Sequence, residues 1–302
     1  MSARPILAVG SVALDSVQTP FGKVKDALGG SAIFFSASAR FFAPVSVVAV
    51  VGQDFPKPHL SLLRRLGIDT RGIKIEKGKT FRWKGYYDYD LNSAKTLKTE
   101  LNVFQAFRPV ISRAEAESAI VFLANIDPDL QRTVRDQVRR PELTACDTMN
   151  YWIETKRASL KRLLKRVDVF LCNDAEAREL SGEYNLIRAA RWVLSRGPKL
   201  FVIKKGEHGV ICFSSNYVFM APAFLLESVF GPTGAGDSFA GGFIGYLAKA
   251  GSLSEAAVRR AVVYGSVLAS YNVESFSLRR VAGLRPSDIE FRYRQFRQMT
   301  KF

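Results

Sequence analysis

Short apolar, β-branched runs separated by longer stretches of helical periodicity constrain this chain more than any other feature. That alternation is the pattern of a sheet whose strands are covered by helices on both faces. The runs expected as strands are Ile6 to Val9, Ser46 to Val51, Ala119 to Leu123, Leu143 to Asp147, Val167 to Cys172 and Leu200 to Lys204. Helices are expected over Ser31 to Phe42, His59 to Leu66, Thr155 to Lys165, Ala175 to Leu180, Leu186 to Ser195, Asp237 to Ala250, Ser254 to Ser270 and Asp288 to Thr300. The last follows Pro286 and carries Ser287 three residues before Glu290, the spacing of a capping box. The fold class is α/β, a doubly wound and mostly parallel sheet. With no repeat and no low-complexity linker, the 302 residues read as a single domain over 1–302.

Composition removes several function classes. Cys146, Cys172 and Cys212 lie far apart with no CxxC pair, so no disulfide framework or zinc knuckle is written, and a reducing, cytoplasmic setting is expected. With only His59 and His208, histidine-based triads and histidine-rich metal sites lose most of their ground. No apolar run approaches the ~18–20 residues that span a bilayer. The run Ile6 to Leu14 meets Asp15 without a small-residue cleavage site, so it reads as a buried strand and not a leader. A net charge of +16 favours anionic partners: nucleic acid, an acidic membrane surface or a phosphate-bearing substrate. The basic residues fall in scattered pairs such as Arg64-Arg65 and Arg139-Arg140, with no interleaved aromatics, which argues against nucleic acid.

One segment breaks the alternation. Over Thr80 to Tyr89, residues Phe81, Trp83, Tyr87 and Tyr89 fall on one face at period two, and Leu91-Asn92-Ser93 supplies a turn. A hairpin standing off the main sheet is expected over approximately 80–104. Its aromatic face fits a lid over a substrate, and equally a face packed on the core or on a second subunit in a homodimer.

Two phosphate motifs fail. Gly78-Lys79-Thr80 has Ile73 where a P-loop needs its first glycine, and Gly234-Ala235-Gly236 has Phe239 where a dinucleotide fingerprint needs its third. The strongest stretch is instead Gly231-Pro232-Thr233-Gly234-Ala235-Gly236-Asp237-Ser238-Phe239-Ala240-Gly241-Gly242-Phe243, a glycine-rich turn leading into a helix. Small residues let successive N–H groups converge on an oxyanion, and the helix dipole adds to the attraction. Asp237 reads either as a helix-start carboxylate or as a base beside a phosphate cradle.

The stretch TGAGDSFAGGF closely resembles the signature of the ribokinase-like (PfkB) family of carbohydrate and nucleoside kinases. Other landmarks of that family occur in order: Gly10 with Asp15, Gly29-Gly30 before a helix, Asn173-Asp174-Ala175-Glu176, Lys204 to Gly209, and Ala261 to Asn272. The resemblance spans almost the whole chain. It implies an ATP-dependent kinase that phosphorylates a primary hydroxyl of a sugar or nucleoside. In it Asp237 is the base, and backbone N–H groups of Gly234, Ala235 and Gly236 hold the transferring phosphoryl group. Asp15, Gly29 and Gly30 hold the acceptor. Lys205, Gly206, Thr233, Gly234, Gly236 and Asn272 serve the nucleotide, and Asn173 and Glu176 serve Mg²⁺; Asn173 also reads as a plain helix cap.

Two positions depart from the family pattern. Gly231 stands where an aspartate usually helps form a monovalent-cation site, which puts K⁺ activation in doubt. Phe34 stands where sugar-binding members often have an asparagine; its ring can pack on a planar base or simply in the core, so a nucleoside rivals a sugar as acceptor. The alternatives are a catalytically weakened homologue that binds nucleotide or metabolite as a regulator and, more remotely, a nucleic-acid-binding protein.

Overall fold

The computed structural model describes residues 3–301. Thirteen strands occur in chain order. The first seven are β1 (Ile6–Val9), β2 (Ala13–Thr19), β3 (Gly22–Gly29), β4 (Val45–Gly52), β5 (Ile73–Glu76), β6 (Phe81–Tyr87) and β7 (Ala94–Glu100). The others are β8 (Ile120–Leu123), β9 (Leu143–Cys146), β10 (Val169–Asn173), β11 (Leu200–Lys204), β12 (Val210–Phe213) and β13 (Val218–Ala221). Nine form one sheet in the order β13-β12-β11-β10-β9-β8-β1-β4-β5, parallel throughout except where β12 runs against both neighbours. Alternate residues of each strand feed two cores. In β1, Ile6 and Ala8 face the side covered by the Ser31–Ala39, Ala235–Ala250 and Glu255–Val273 helices, while Leu7 and Val9 face the Pro128–Gln137, Asn150–Leu164, Asp174–Ser181 and Leu186–Leu194 helices. The expected doubly wound class is the one observed, because buried strands need apolar residues on both faces.

The remaining four strands form a second sheet, β3-β2-β6-β7, with β2 and β6 parallel at its centre. The expected hairpin over 80–104 is its outer half. The inner half, β2 and β3, comes from residues given no strand beyond Leu14, and the Ile6 to Leu14 run is not one strand. It splits at Gly10, where a Cβ would lie 2.6 Å from Ala124, and the chain leaves the main sheet there to start β2. Arg82 of β6 roots this sheet by reaching Asp26 of β3 and, at 2.8 Å, Asp54 beyond β4. Tyr89, expected on the aromatic face, lies past the end of β6, exposed and edge-on to Phe21.

Two further expectations are corrected at helix ends. The final helix spans Pro286–Met299 with Arg285 as its cap, and Asp288 accepts the Arg285 N–H at 2.8 Å. The Ser287–Glu290 box therefore does not form; Glu290 instead accepts the Tyr264 hydroxyl at 2.8 Å.

The Ala235–Ala250 helix is pressed between two others. A Cβ at Gly242 would lie 2.7 Å from the Tyr264 carbonyl oxygen, and one at Gly245 would lie 3.0 Å from Ala39 Cα. Gly242→Val is expected to destabilise the fold by about 1–3 kcal/mol through overpacking, lowering the melting temperature in a thermal scan by several degrees. Gly283→Ala, where the nearest atom is 3.8 Å away, is expected to leave it unchanged.

Candidate active site

Gly234 adopts φ 82° and caps the Ala235–Ala250 helix, and a Cβ there would overlap the Phe34 ring. Both the left-handed backbone and the aromatic face beneath it demand glycine. The Ala235 N–H is committed to the Pro232 carbonyl at 3.1 Å, while those of Gly234, Gly236 and Asp237 have no protein acceptor among the described residues. These three converge at the positive end of a sixteen-residue helix, an arrangement that binds an oxyanion. The turn is pinned from below by Asn272, which is fully buried. Its amide donates to the Thr233 carbonyl at 2.9 Å and its carbonyl oxygen accepts the Ser238 hydroxyl at 3.2 Å. Asn272, expected to serve the nucleotide, thus acts on the site through Thr233 and does not line a cavity.

Three neighbouring strands end in polar groups at the same edge of the sheet, where parallel α/β sheets bind ligands. Asp147 follows β9, Asn173 ends β10, and Lys204 ends β11 in register with Asn173. Lys204 Nζ donates to Asp147 Oδ2 at 2.6 Å, and a Cβ at Gly236 would lie 3.1 Å from that same nitrogen. The ammonium therefore stands against the glycine turn. Burial works against its charge, but the carboxylates of Asp147 and Glu176 outweigh burial and hold its pKa above the ordinary lysine value. Lys205, the lysine expected at the site, has its N–H on the Gly209 carbonyl and does not line the cavity that Lys204 and Gly206 line. Sequence reasoning placed Lys204 at the head of the Lys204 to Gly209 landmark and Asp147 at a strand end but gave neither a role, although a charged residue closing each apolar run was the signal.

Asn173 and Glu176 form a reciprocal cap: Asn173 Oδ1 accepts the Glu176 N–H and Glu176 Oε2 accepts the Asn173 N–H, both at 2.7 Å. Burial, reinforced by Asp147 and offset by Lys204, lifts the Glu176 carboxyl to about 7. Asp237 is lifted to about 8 by burial and by Asp147, again offset by Lys204, with Asp15 and Glu176 adding repulsion. Among the described residues no three acidic, histidine or cysteine side chains form a ready-made metal cage. Hard carboxylates that raise one another's pKa, with one Glu176 oxygen outside the cap, do suit a magnesium ion that keeps most of its water.

On the far side of the turn, Asp15 of β2 is buried and its carboxyl is raised to about 7 by burial, partly offset by the Gly30 N–H. A Cβ at Gly29 would overlap that carboxylate, and one at Gly30 would strike the Ser11 carbonyl, so the two glycines let the chain wrap it closely. Asp15, Val17, Val24, Phe34 and Phe276 line a void of about 10 Å³, about the size of one water. A cavity of about 400 Å³ lies on the other side. Lys204, Gly206 and Gly236 stand at its polar end, and Ala223, Phe224, Leu226, Val229, Ala269 and Val273 supply apolar walls. Its size suits a nucleotide-sized ligand. Asn92, from the tip of the second sheet, closes over it and donates to Glu207 at 3.0 Å.

A nine-stranded doubly wound sheet with a small β-sheet clasped over its ligand-binding edge is the ribokinase-like architecture. Residues 8–279 match the pfkB family carbohydrate kinases, and the chain belongs to that family. It is a kinase of the sugar and nucleoside class. It is 30% identical over 255 residues to a cytidine kinase of Thermococcus kodakarensis, covering 83% of this chain and 91% of the relative. A nucleoside kinase of Burkholderia thailandensis in complex with inosine superposes with a TM-score of 0.81 at 18% identity, over 96% of this chain and 98% of that one. An Escherichia coli protein described as ribokinase II, in complex with ATP and Mg²⁺, gives 0.78 at 18% identity over 98% and 99%. Among the described residues no helix is long and apolar enough to cross a membrane.

The raised carboxyls carry a stability consequence. Asp15, Glu176 and Asp237 have folded-state values of about 7, 7 and 8, above their ordinary 3.8, 4.5 and 3.8. Their neutral forms favour the fold, an advantage complete below about pH 4 and lost as pH rises through 7–8. The melting temperature of the ligand-free protein is expected to fall between pH 5 and pH 8.5, and Asp237→Asn to flatten that fall while raising the melting temperature at the alkaline end. A thermal scan series over pH checks both.

Proposed function

We propose that the protein transfers the γ-phosphoryl group of ATP to the primary hydroxyl of a nucleoside, with cytidine the first acceptor to try. The observation that carries this reading is Phe34: its buried ring packs on Gly234 and walls the Asp15 pocket, offering an apolar face where a sugar would need a hydrogen-bonding group. The similarity to a cytidine kinase supports it.

The acceptor enters beside Asp15, whose carboxylate accepts hydrogen bonds from its hydroxyls. Asp237 takes the proton of the primary hydroxyl as that oxygen bonds to the γ-phosphorus and the bond to the ADP oxygen breaks. Charge on the transferring group falls on the free N–H groups of Gly234, Gly236 and Asp237. Lys204 turns from Asp147 toward the phosphates, Gly206 bounds the donor side, and Thr233 lines the Asp15 pocket. Asn173 and Glu176 would hold Mg²⁺ through its waters; bound there, the ion supplies charge neutralisation between phosphates.

Turnover of ATP against a panel of nucleosides, pentoses and hexoses is expected to single out nucleosides, and Asp237→Asn to lower kcat by about 10²–10⁴-fold. kcat/KM for the wild type is expected to rise with pH up to about 8, as the free-enzyme base ionises. Near-normal turnover by Asp237→Asn overturns the assignment. ATP binding without turnover on any acceptor favours the regulatory homologue.

We also infer that the enzyme works without K⁺. A Cβ at Gly231 would lie 2.9 Å from the Phe276 ring, so an aromatic side chain fills the space a carboxylate there would need. Turnover is expected to be equal in Na⁺ and K⁺. Gly231→Asp is expected to gain K⁺ stimulation only together with Phe276→Ala, which clears the space, and stimulation of the wild type sinks the idea.

A further inference from the structure

Tyr87, the last residue of β6, carries a contact that the mechanism above does not use. Its phenol oxygen accepts the Thr233 hydroxyl at 3.1 Å, across 146 residues of sequence, and this is the only side-chain hydrogen bond between the β6–β7 hairpin and the glycine turn among the described residues. The phenol's own O–H has no protein acceptor among those residues. The phenol is largely withdrawn from water, which raises its pKa, and the two carboxylates acting on it are Asp15 and Asp237. Tyr87 thus stands within the field of both the acceptor carboxylate and the base, while holding the residue that precedes Gly234. Gly85 has no such reach, and Trp83, four residues before Tyr87 on the same strand, spends its indole N–H on Thr96 within the sheet at 3.1 Å.

We propose that Tyr87 is a positioning residue for phosphoryl transfer. Its free O–H meets the hydroxyl side of the incoming acceptor, and through Thr233 it holds the glycine turn in register with that acceptor. Presence of the acceptor is thereby communicated to the oxyanion-binding N–H groups. The inference rests on the reading of Asp15 and Asp237 given above.

The test is Tyr87→Phe, which keeps the ring and removes only the hydroxyl. In the ligand-free protein, hydrogen exchange of the Gly231 and Ala235 amides, which the Val273 and Pro232 carbonyls hold, is expected to quicken several-fold with no change in melting temperature. With the acceptor identified in the screen, kcat and kcat/KM for that acceptor are expected to fall by about 3–10-fold, the effect of one lost hydrogen bond, while KM for ATP stays constant. In a Thr233→Val background the effect of Tyr87→Phe on kcat is expected to shrink to the share owed to its contact with the acceptor, because the part that runs through Thr233 is already lost. Unchanged exchange in Tyr87→Phe overturns the proposal, as does an equal loss in both backgrounds. A lower melting temperature with parallel changes in both KM values also overturns it, since that marks a structural role. If the wild-type protein phosphorylates none of the acceptors, the nucleoside-kinase reading fails, and the exchange measurement still decides whether Tyr87 holds the turn.

Discussion

The architecture depends on how closely the Ala235–Ala250 helix is allowed to approach its neighbours. Gly241 and Gly245 lie against the Ser31–Ala39 helix and Gly242 against the Glu255–Val273 helix, at separations where any side chain would collide with backbone. Dispersion contacts along those two seams fix the axis of the helix. Because the axis is fixed, its N-terminus is delivered to the edge of the sheet between the two pockets. The oxyanion turn is therefore positioned by core packing many residues away, and Asn272 only trims the final register.

That placement creates an electrostatic difficulty which the site is built around. Asp15, Asp147 and Glu176 all act on Asp237, with Lys204 as the opposing cation, and burial raises the carboxyl pKa values of Asp15, Glu176 and Asp237. In the absence of ligand, the Lys204–Asp147 bond is what keeps the cluster tolerable, since an unpaired buried charge is far more costly than a paired one. A magnesium nucleotide carries both signs of charge into such a cluster. Instability of the empty site and capacity for chemistry are two aspects of the same crowding.

Much of this was legible from residues alone. The six apolar runs lie in strands because the two-faced burial of a parallel sheet leaves a continuous apolar signature. The glycine turn was legible because few other structures require so many small residues before a helix. Strands β2 and β3 were not, since ALDSVQT and GKVKDALG belong to a sheet wet on one face and carry charge. Lys204 and Lys205 are adjacent in sequence, and only the pairing of Lys204 with Asn173 shows which of them turns toward Asp147. The approaches of Tyr87 to Thr233 and of Phe276 to Gly231 join distant segments and leave no local pattern to read.

The small sheet is often pictured as a flap fitted over a finished site, but its wiring here says otherwise. Asp15 is a residue of β2, hydrogen-bonded in register between Ala27 of β3 and Trp83 of β6. The group proposed to grip the acceptor is thus part of the cover itself. On that proposal a swing of the cover would carry the grip with it, so capture and enclosure of the acceptor would be a single mechanical stroke, and product release the same stroke run backwards.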